Sequence, residues 1–281
     1  MLIDFHTHIF PREIREDRAR HFPNEPAFEL LYRPEKSRLV GASDLVAAMD
    51  EAEVDKSVTF GFPWTDPGRF RLHNDYIMES VAKFPDRLVG LGCFDLAHDE
   101  APGEALRCLE GGLAGLGELA AYRSGLDEEA LCRLAPVMEI ARSHKAPVLI
   151  HVNEPVGHPY PGKTPVTIGQ IWNLAARFPE NRMVLAHWGG GIFFYQLMKR
   201  EAKETLRNLW YDTAASPYLY DPKIYPVAAE ILGPEKILFG TDFPLLSFPR
   251  CRAEVEKSGL PPAAILKILG GNAEAFLGGA S

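Results

Sequence analysis

Short apolar runs recur along the chain, and most of them end at Gly, Asp, Asn or His. Eight such runs, rich in β-branched or aromatic residues, begin near Leu2, Ser57, Leu88, Leu113, Val148, Met183, Asn208 and Lys236. After the first interval, their starts lie 25 to 35 residues apart, which is room for one strand, one helix and two short loops. Few of the runs alternate apolar with polar residues, as is typical of parallel strands covered on both faces. The pattern predicts an α/β fold, a (β/α)8 TIM barrel formed as a single domain by residues 1–281.

Helical periodicity fills the intervals between these runs, and turn residues mark where the helices begin and end. Ser43, Asn74 and Asp127 are predicted N-caps, because a side-chain oxygen at that position can accept a hydrogen bond from a free backbone amide. Pro261-Pro262 predicts the start of a last helix that ends at Gly270-Gly271.

The first interval is longer than the others and contains an irregular segment, residues 9–41, with four prolines. We interpret this segment as an insertion between the first strand and the first helix of the barrel. Loops that leave the carboxyl ends of barrel strands surround the active site, so the insertion is expected to be a lid or a substrate wall. The alternative is an excursion over the surface without a functional role.

Composition and charge narrow the classes of function. The chain has 30 basic and 38 acidic residues, a formal charge of -8, which is opposite to the basic surface that nucleic acids and anionic membranes select. The four cysteines are too widely separated to form a disulfide scaffold or paired metal-binding motifs, which favours reduced thiols. No apolar run approaches the 18 residues that a membrane-spanning helix needs. We therefore expect a cytoplasmic protein that acts on a small molecule, with no nucleic acid or membrane partner.

Five metal-ligand residue types follow predicted strands. His6 and His8 end the first strand, where residues i and i+2 point the same way, so both imidazoles can bind one ion. Alone, such a pair is equally explained by hydrogen bonds to the backbone. However, His151, His187 and Asp242 follow the fifth, sixth and eighth strands, and the carboxyl ends of barrel strands share one rim. The five residues together predict a metal site.

The chain resembles the amidohydrolase superfamily through several motifs distributed over nearly its whole length. These motifs are Ile3-Asp4-Phe5-His6-Thr7-His8 with Pro11, Asn74-Asp75-Tyr76, Phe84-Pro85-Asp86-Arg87, Ala186-His187-Trp188-Gly189-Gly190, Phe239-Gly240-Thr241-Asp242-Phe243-Pro244 and Gly271-Asn272-Ala273. The resemblance is to the amidohydrolase 2 branch, the metal-dependent hydrolases and decarboxylases similar to aminocarboxymuconate-semialdehyde decarboxylase.

The resemblance implies one divalent metal held by His6, His8, His151 and Asp242, with a bound water beside His187. Three imidazoles and one carboxylate leave such an ion positively charged, which lowers the pKa of its water toward about 7. It also implies that Asp242 takes the proton of the water and passes it to the leaving group, while His187 orients the water or polarises the substrate. Zinc is the expected metal, although manganese, iron, cobalt and nickel accept the same ligands.

Other polar residues near the rim have open interpretations. Glu118, at the end of the fourth strand, is a bridging ligand for a second metal, a partner of a ligating histidine or a substrate amine, or a structural ion pair. Substrate contacts are predicted for Trp64 by ring stacking and for Arg71, or less strongly Arg69, by a guanidinium fork. They are also predicted for Tyr160 and Lys163 in a proline-rich loop; the alternatives are surface solvation of the arginines and simple rigidity of the loop.

These observations favour a metal-dependent hydrolase of a C–N or C–O bond, in an amide, lactone or ester of a small polar metabolite. The alternative is a metal-dependent, non-oxidative decarboxylase of a small carboxylic acid, which an arginine at the rim would favour. A third hypothesis is a metal-binding scaffold without catalytic activity. Tyr218, Tyr220 and Tyr225, after the seventh strand, are candidates for an interface between identical chains.

Overall fold

Eight parallel strands form the centre of the protein in the computed structural model, which describes residues 1–278. The strands are β1 (Ile3–His8), β2 (Lys56–Phe60), β3 (Leu88–Gly92), β4 (Gly115–Leu119), β5 (Val148–Ile150), β6 (Met183–Leu185), β7 (Leu209–Asp212) and β8 (Ile237–Leu238). Each strand pairs with the next one in the chain, and β1 returns to the segment after β8 through a Thr7–Phe243 bridge. The predicted (β/α)8 TIM barrel is confirmed.

Helices connect the strands and cover the outside of the barrel. They are α1 (Arg12–Glu16), α2 (Pro26–Tyr32), α3 (Ala42–Glu51), α4 (Pro67–Lys83), α5 (Ala101–Glu110), α6 (Glu128–Ser143), α7 (Ile168–Arg177), α8 (Glu201–Thr205), α9 (Ser216–Leu219), α10 (Ile224–Leu232), α11 (Phe248–Glu256), α12 (Pro262–Leu266) and α13 (Asn272–Gly278). Short 3₁₀ turns occupy Arg18–His21 and Pro234–Lys236, and His187–Leu197 is a kinked segment in which Trp188 to Gly191 have left-handed backbone conformations. Within residues 1–278, none of the helices combines the length and apolar character needed to cross a membrane.

Two apolar clusters stabilise this arrangement. The larger one lies between the strands and the helices, where the apolar stripe of each helix is buried. The smaller one joins side chains of strands from opposite sides of the sheet, such as Phe5, Leu91 and Val184, which meet only across the interior of the barrel. The interior is therefore packed below the rim, and the polar residues collect at the carboxyl ends of the strands.

The insertion, residues 9–41, is more regular than its composition indicates. It contains α1 and α2, and aromatic contacts anchor it to the loop after β2: the ring of Phe28 lies 4.3 Å from that of Trp64. Tyr32, at the end of α2, also contacts Phe62 of that loop, with ring centroids 6.2 Å apart. The insertion therefore packs against the loop that follows β2 at the carboxyl rim.

Two of the three predicted N-caps are wrong. Helix α3 begins after Gly41, and the carboxylate of Asp44 accepts a hydrogen bond from the Gly41 amide at 2.8 Å, so Ser43 is already inside the helix. Helix α4 begins after Asp66, whose side chain accepts a hydrogen bond from the Arg69 amide, and Asn74 lies buried in the middle of that helix. A polar residue can cap a helix or bond elsewhere, and sequence pattern alone does not separate the two roles.

The other two helix-end predictions have different outcomes. Asp127 caps α6 and accepts a hydrogen bond from the Ala130 amide at 2.9 Å, as expected. The last helix does not end at Gly270-Gly271, because α12 continues through a wide helical turn, Lys267–Gly271, into α13. Gly270 is required there for close packing, since a Cβ atom would collide with the Met1 carbonyl oxygen.

Candidate metal centre and active site

The five predicted ligand-type residues lie together at the carboxyl rim of the barrel. They are His6 and His8 of β1, His151 directly after β5, His187 after β6 and Asp242 after β8. The strand ends bring these residues together because each side chain leaves the same edge of a closed sheet. His187 and Asp242 have left-handed backbone conformations, with φ of +54° and +66°, an unusual geometry that occurs often at functional sites.

Glu118 of β4 lies at the centre of this group. Its Oε1 is 2.9 Å from His151 Nδ1 and 3.5 Å from His187 Nε2. Its Oε2 is 3.6 Å from His6 Nε2 and 3.7 Å from His8 Nε2. One carboxylate therefore contacts all four imidazoles. Glu118 lies inside the group of predicted metal ligands and is not part of an ion pair on the surface.

Asp242 completes the group from the other side. Its Oδ1 lies 3.3 Å from His8 Nε2 and 3.7 Å from His6 Nε2. Potential ligand atoms fall into three overlapping triads, each within 4.8 Å: His6, His8 and Glu118; His6, His187 and Asp242; Glu118, His151 and His187. We call these six residues the rim cluster. His151 joins it through Glu118 and His187.

The donors of the rim cluster fit a metal ion. His6 Nε2 is fully buried, faces the cluster and has no hydrogen-bond partner among residues 1–278, which is costly for a polar atom unless a ligand binds it. The opposite nitrogens of His8, His187 and His151 lie 3.2, 3.0 and 3.0 Å from the carbonyl oxygens of Gly61, Ala214 and Gly162. Because a carbonyl only accepts, those nitrogens carry a proton, and the opposite nitrogens face the carboxylates of the cluster, where a metal could replace a proton.

Asp212 is a functional residue that the sequence analysis missed. It ends β7, and its Oδ2 lies 2.8 Å from His6 Nδ1, while its Oδ1 accepts a hydrogen bond from the His187 amide at 2.9 Å. It is fully buried. An aspartate at the carboxyl end of the seventh predicted strand was the available signal.

The electrostatics of the rim cluster favour a bound cation. Burial raises the pKa of Glu118, but His6 and His151 outweigh it and hold that pKa well below the ordinary value. Burial lowers the pKa of His6, yet the carboxylates of Glu118 and Asp212 raise it to about 10. Without a metal, Glu118 is thus ionised and a proton on His6 balances part of the negative charge.

Aromatic rings form a wall beside the rim cluster. Tyr122 stacks on His151, with centroids 6.0 Å apart and planes at 29°, and on Phe62, at 6.3 Å and 19°. Tyr32 of the insertion meets Phe62 edge-on. Sequence reasoning missed this wall, although Phe62 and Tyr122 follow predicted strands.

Three of the residues predicted to contact substrate after the second strand do not reach the site. Trp64 is fully buried and its Nε1 donates a hydrogen bond to His73 Nδ1 at 2.9 Å. Arg71 is half exposed and pairs with Glu100, directly before α5, and Arg69 Nη1 lies 3.3 Å from Glu25 Oε1 of the insertion. The reason is that the arginines are not in a loop: α4 begins at Pro67 and directs both of them to these glutamates.

Tyr160 and Lys163 lie in the loop after β5, and both bind the same carboxylate. Tyr160 Oη donates a hydrogen bond to Glu154 Oε2 at 2.9 Å, and Lys163 Nζ lies 3.0 Å from Glu154 Oε1. Their polar groups are therefore occupied within the loop.

A family model described as amidohydrolase, of type 2, matches residues 3–279. The chain belongs to this amidohydrolase family. Among curated proteins, this amidohydrolase is 26% identical over 242 residues to the 2-amino-3-carboxymuconate-6-semialdehyde decarboxylase of Dictyostelium discoideum. The match covers 73% of the chain and 65% of that relative, which is less than two thirds of its length.

Solved structures share the fold of this amidohydrolase. A 5-carboxyvanillate decarboxylase from Sphingomonas paucimobilis superposes with a TM-score of 0.75 at 20% identity, covering 98% of each chain. A second 5-carboxyvanillate decarboxylase, from Novosphingobium aromaticivorans, gives a TM-score of 0.76 at 15% identity, covering 99% of this chain and 96% of the other. That structure was solved in complex with manganese and 4-hydroxy-3-methoxy-5-nitrobenzoic acid.

Proposed function

We propose that this amidohydrolase is a metal-dependent decarboxylase of a small acid whose carboxyl group is attached to an aromatic or conjugated carbon. The observation that carries the proposal is the stack of Phe62, Tyr122 and His151 beside the rim cluster, an aromatic lining suited to a planar ring. The decarboxylase names of the relatives support it. This is the alternative of the sequence analysis, and we now prefer it to hydrolysis.

We propose that His6, His8, His151 and Asp242 hold one divalent metal, with Glu118 next to all four imidazoles. Nitrogen and carboxylate ligands suit both manganese and zinc, and manganese in a relative of the same fold gives no preference for zinc. When bound, the metal supplies positive charge that fixes the substrate anion and withdraws electron density from it.

His187 is the residue that we assign as proton donor. Its Nδ1 donates to the Ala214 carbonyl, so its Nε2 faces the cluster. Burial lowers the pKa of His187, but hydrogen bonding to Glu118 and the charge of Asp242 raise it to about 9 without a metal, which favours a protonated Nε2. Nε2 delivers this proton to the ring carbon that bears the carboxyl group. The C–H bond forms, the C–C bond breaks and carbon dioxide leaves, and solvent then reprotonates the imidazole.

Asp242 has a different role. Burial raises its pKa, but hydrogen bonding to His8 and the charge of His6 lower it below the ordinary value, so the carboxylate is ionised. An ionised carboxylate binds a metal and does not donate a proton. In this reaction Asp242 is therefore a ligand, whereas in hydrolysis it would accept the proton of a water.

Hydrolysis of an amide, lactone or ester is the second candidate function. The pairing of Arg69 with Glu25 and of Arg71 with Glu100 favours it, because both guanidinium groups already bind carboxylates of the chain and neither is left to hold a substrate carboxylate.

The test is a panel of substrates assayed with metal-loaded protein. Hydroxylated and methoxylated benzoates are scored for carbon dioxide, and amides, lactones and esters are scored for acid release. We expect carbon dioxide release to exceed the best hydrolytic turnover, and to be lost in His187→Asn with the metal retained. Faster hydrolysis than decarboxylation would overturn the proposal in favour of the hydrolase, and no turnover of any kind would favour the non-catalytic scaffold.

A further inference from the structure

Both ring nitrogens of His151 have partners in the structure. Nδ1 lies 2.9 Å from Glu118 Oε1 inside the rim cluster, and Nε2 lies 3.0 Å from the carbonyl oxygen of Gly162. A carbonyl oxygen only accepts hydrogen bonds, so Nε2 carries a proton. Glu118 Oε1 likewise only accepts, so Nδ1 donates to it, and a metal bound at Nδ1 would take the place of that proton. The Gly162 carbonyl holds the other proton on Nε2 and thereby orients the ring with Nδ1 directed into the cluster.

Gly162 belongs to a segment that we call the latch loop, residues 154–163. The outer part of this loop is exposed: Val156 has 72% of its surface open to solvent. Its two ends are fastened below it, where Asn153 Oδ1 accepts hydrogen bonds from the Thr164 amide and hydroxyl, both at 2.7 Å. Gly162 has φ of +92°, a conformation that favours glycine, and it lies directly before Lys163.

Lys163, next to Gly162, closes the latch loop from within. Its Nζ lies 3.0 Å from Glu154 Oε1 and donates to the carbonyl oxygens of Val156 and His158 at 2.5 and 3.4 Å. An ammonium group has three donors, and the loop supplies three acceptors. The pair is also shielded, because the side chains of Lys163 and Glu154 are only 14% and 19% exposed.

We propose that Lys163 is a positioning residue of the metal centre. It closes the latch loop so that the Gly162 carbonyl holds the Nε2 proton of His151, and it thereby keeps His151 Nδ1 directed at the metal. The inference rests on the metal site of the proposed function and adds to it a loop that controls metal retention. It replaces the substrate contact that the sequence predicts for Lys163.

The experiment compares zinc-loaded wild type with Lys163→Met and Lys163→Arg. Zinc dissociation is followed with an excess of chelator, and long-range ¹H–¹⁵N spectra of histidine-labelled protein report the His151 tautomer and the solvent exchange of its Nε2 proton. We expect Lys163→Met to accelerate zinc dissociation about tenfold and to accelerate that exchange, because the orienting partner of a ligand is released. Lys163→Arg should restore both. Val156→Ala, in the exposed part of the same loop, is the matched control and should change neither.

A raised KM in Lys163→Met, with zinc dissociation and the His151 signals unchanged, would show that Lys163 contacts substrate and would overturn the proposal. If Lys163→Met does not fold, Tyr160→Phe removes only the hydrogen bond to Glu154, and it should shift both readouts in the same direction by a smaller factor; no shift in it would also overturn the proposal. Both readouts are obtained without substrate. A protein that releases no carbon dioxide would therefore overturn the decarboxylase proposal and leave the result on the latch loop standing.

Discussion

The carboxylate of Asp212 lies 2.8 Å from Nδ1 of His6, and both side chains are fully buried. His6 is therefore held on one side by a carboxylate from β7, while its other nitrogen faces the rim cluster. The second oxygen of Asp212 accepts hydrogen bonds from the His187 and Ala214 amides, so one side chain aligns both a ligand and the proposed proton donor. Such partners of ligating histidines fix the ring and raise its basicity.

We predict that Asp212→Asn weakens metal binding by about 10- to 100-fold, because the amide keeps the size of the side chain but removes the charge opposite His6. Competition with a chelator of known affinity measures the effect. Asp221→Asn is a matched control, since Asp221 is exposed and only accepts from the Lys223 amide. Equal affinity in Asp212→Asn and wild type would contradict a positioning role.

Elemental analysis of purified protein should give about one divalent metal per chain. Glu118→Gln should lower metal affinity without changing this number, because the neutral amide contacts the same imidazoles with less attraction for a cation. Two equivalents in wild type and one in Glu118→Gln would instead show that Glu118 bridges two metals.

Substitution of His151 and of His187 by alanine should have different effects. We expect His151→Ala to lose the metal, because a ligand is removed. His187→Ala should keep the metal and lose turnover by about 10²- to 10⁴-fold, the usual contribution of a positioned acid or base. Metal content and turnover are measured on the same samples. An empty site in His187→Ala, together with a loaded one in His151→Ala, would reverse these assignments.

Metal binding to the apoprotein should release protons near pH 7.5. His6 has a pKa raised to about 10 without metal, so it is protonated at that pH, whereas a ligand must be neutral. The apparent affinity for metal should accordingly rise with pH up to about pH 10 and fall as acid protonates the imidazoles. Calorimetric titrations in two buffers of different ionisation enthalpy count the protons, and a buffer-independent enthalpy would contradict the prediction.

Substrate affinity should depend on the aromatic wall and not on the arginines of α4. We predict that Tyr122→Leu raises KM for an aromatic acid up to about tenfold with the metal retained, since stacking of rings contributes about 0.5–1.5 kcal/mol. Arg71→Ala, which removes only an outer ion pair, should leave KM unchanged. Steady-state kinetics of both variants measure KM. A KM that rises in Arg71→Ala and stays constant in Tyr122→Leu would show that Arg71 contacts the substrate, as the sequence predicts.

Asn74 belongs to a recognisable sequence motif, but the sequence does not reveal the structural role of its side chain. The sequence predicts a helix cap at this residue, but its side chain exchanges two hydrogen bonds with the backbone of Cys93, at 3.0 and 2.9 Å. Cys93 Sγ in turn donates to the carbonyl oxygen of Glu118 at 3.0 Å. Asn74 therefore helps to hold the end of β3 against the strand that carries Glu118, a relation that no local propensity contains.

The periodicity of the chain was sufficient to predict the barrel and the rim, because local patterns specify strands and all parallel strands of a barrel end at one edge. His6, His8, His151, His187 and Asp242 could therefore be grouped before any coordinates were known. Only the tertiary structure placed Glu118 among four imidazoles, buried Trp64 and turned Lys163 toward Glu154. These outcomes depend on contacts between distant segments: His6 and Asp212 are 206 residues apart in sequence and 2.8 Å apart in space. Packing geometry decides such contacts, and a linear pattern does not encode them.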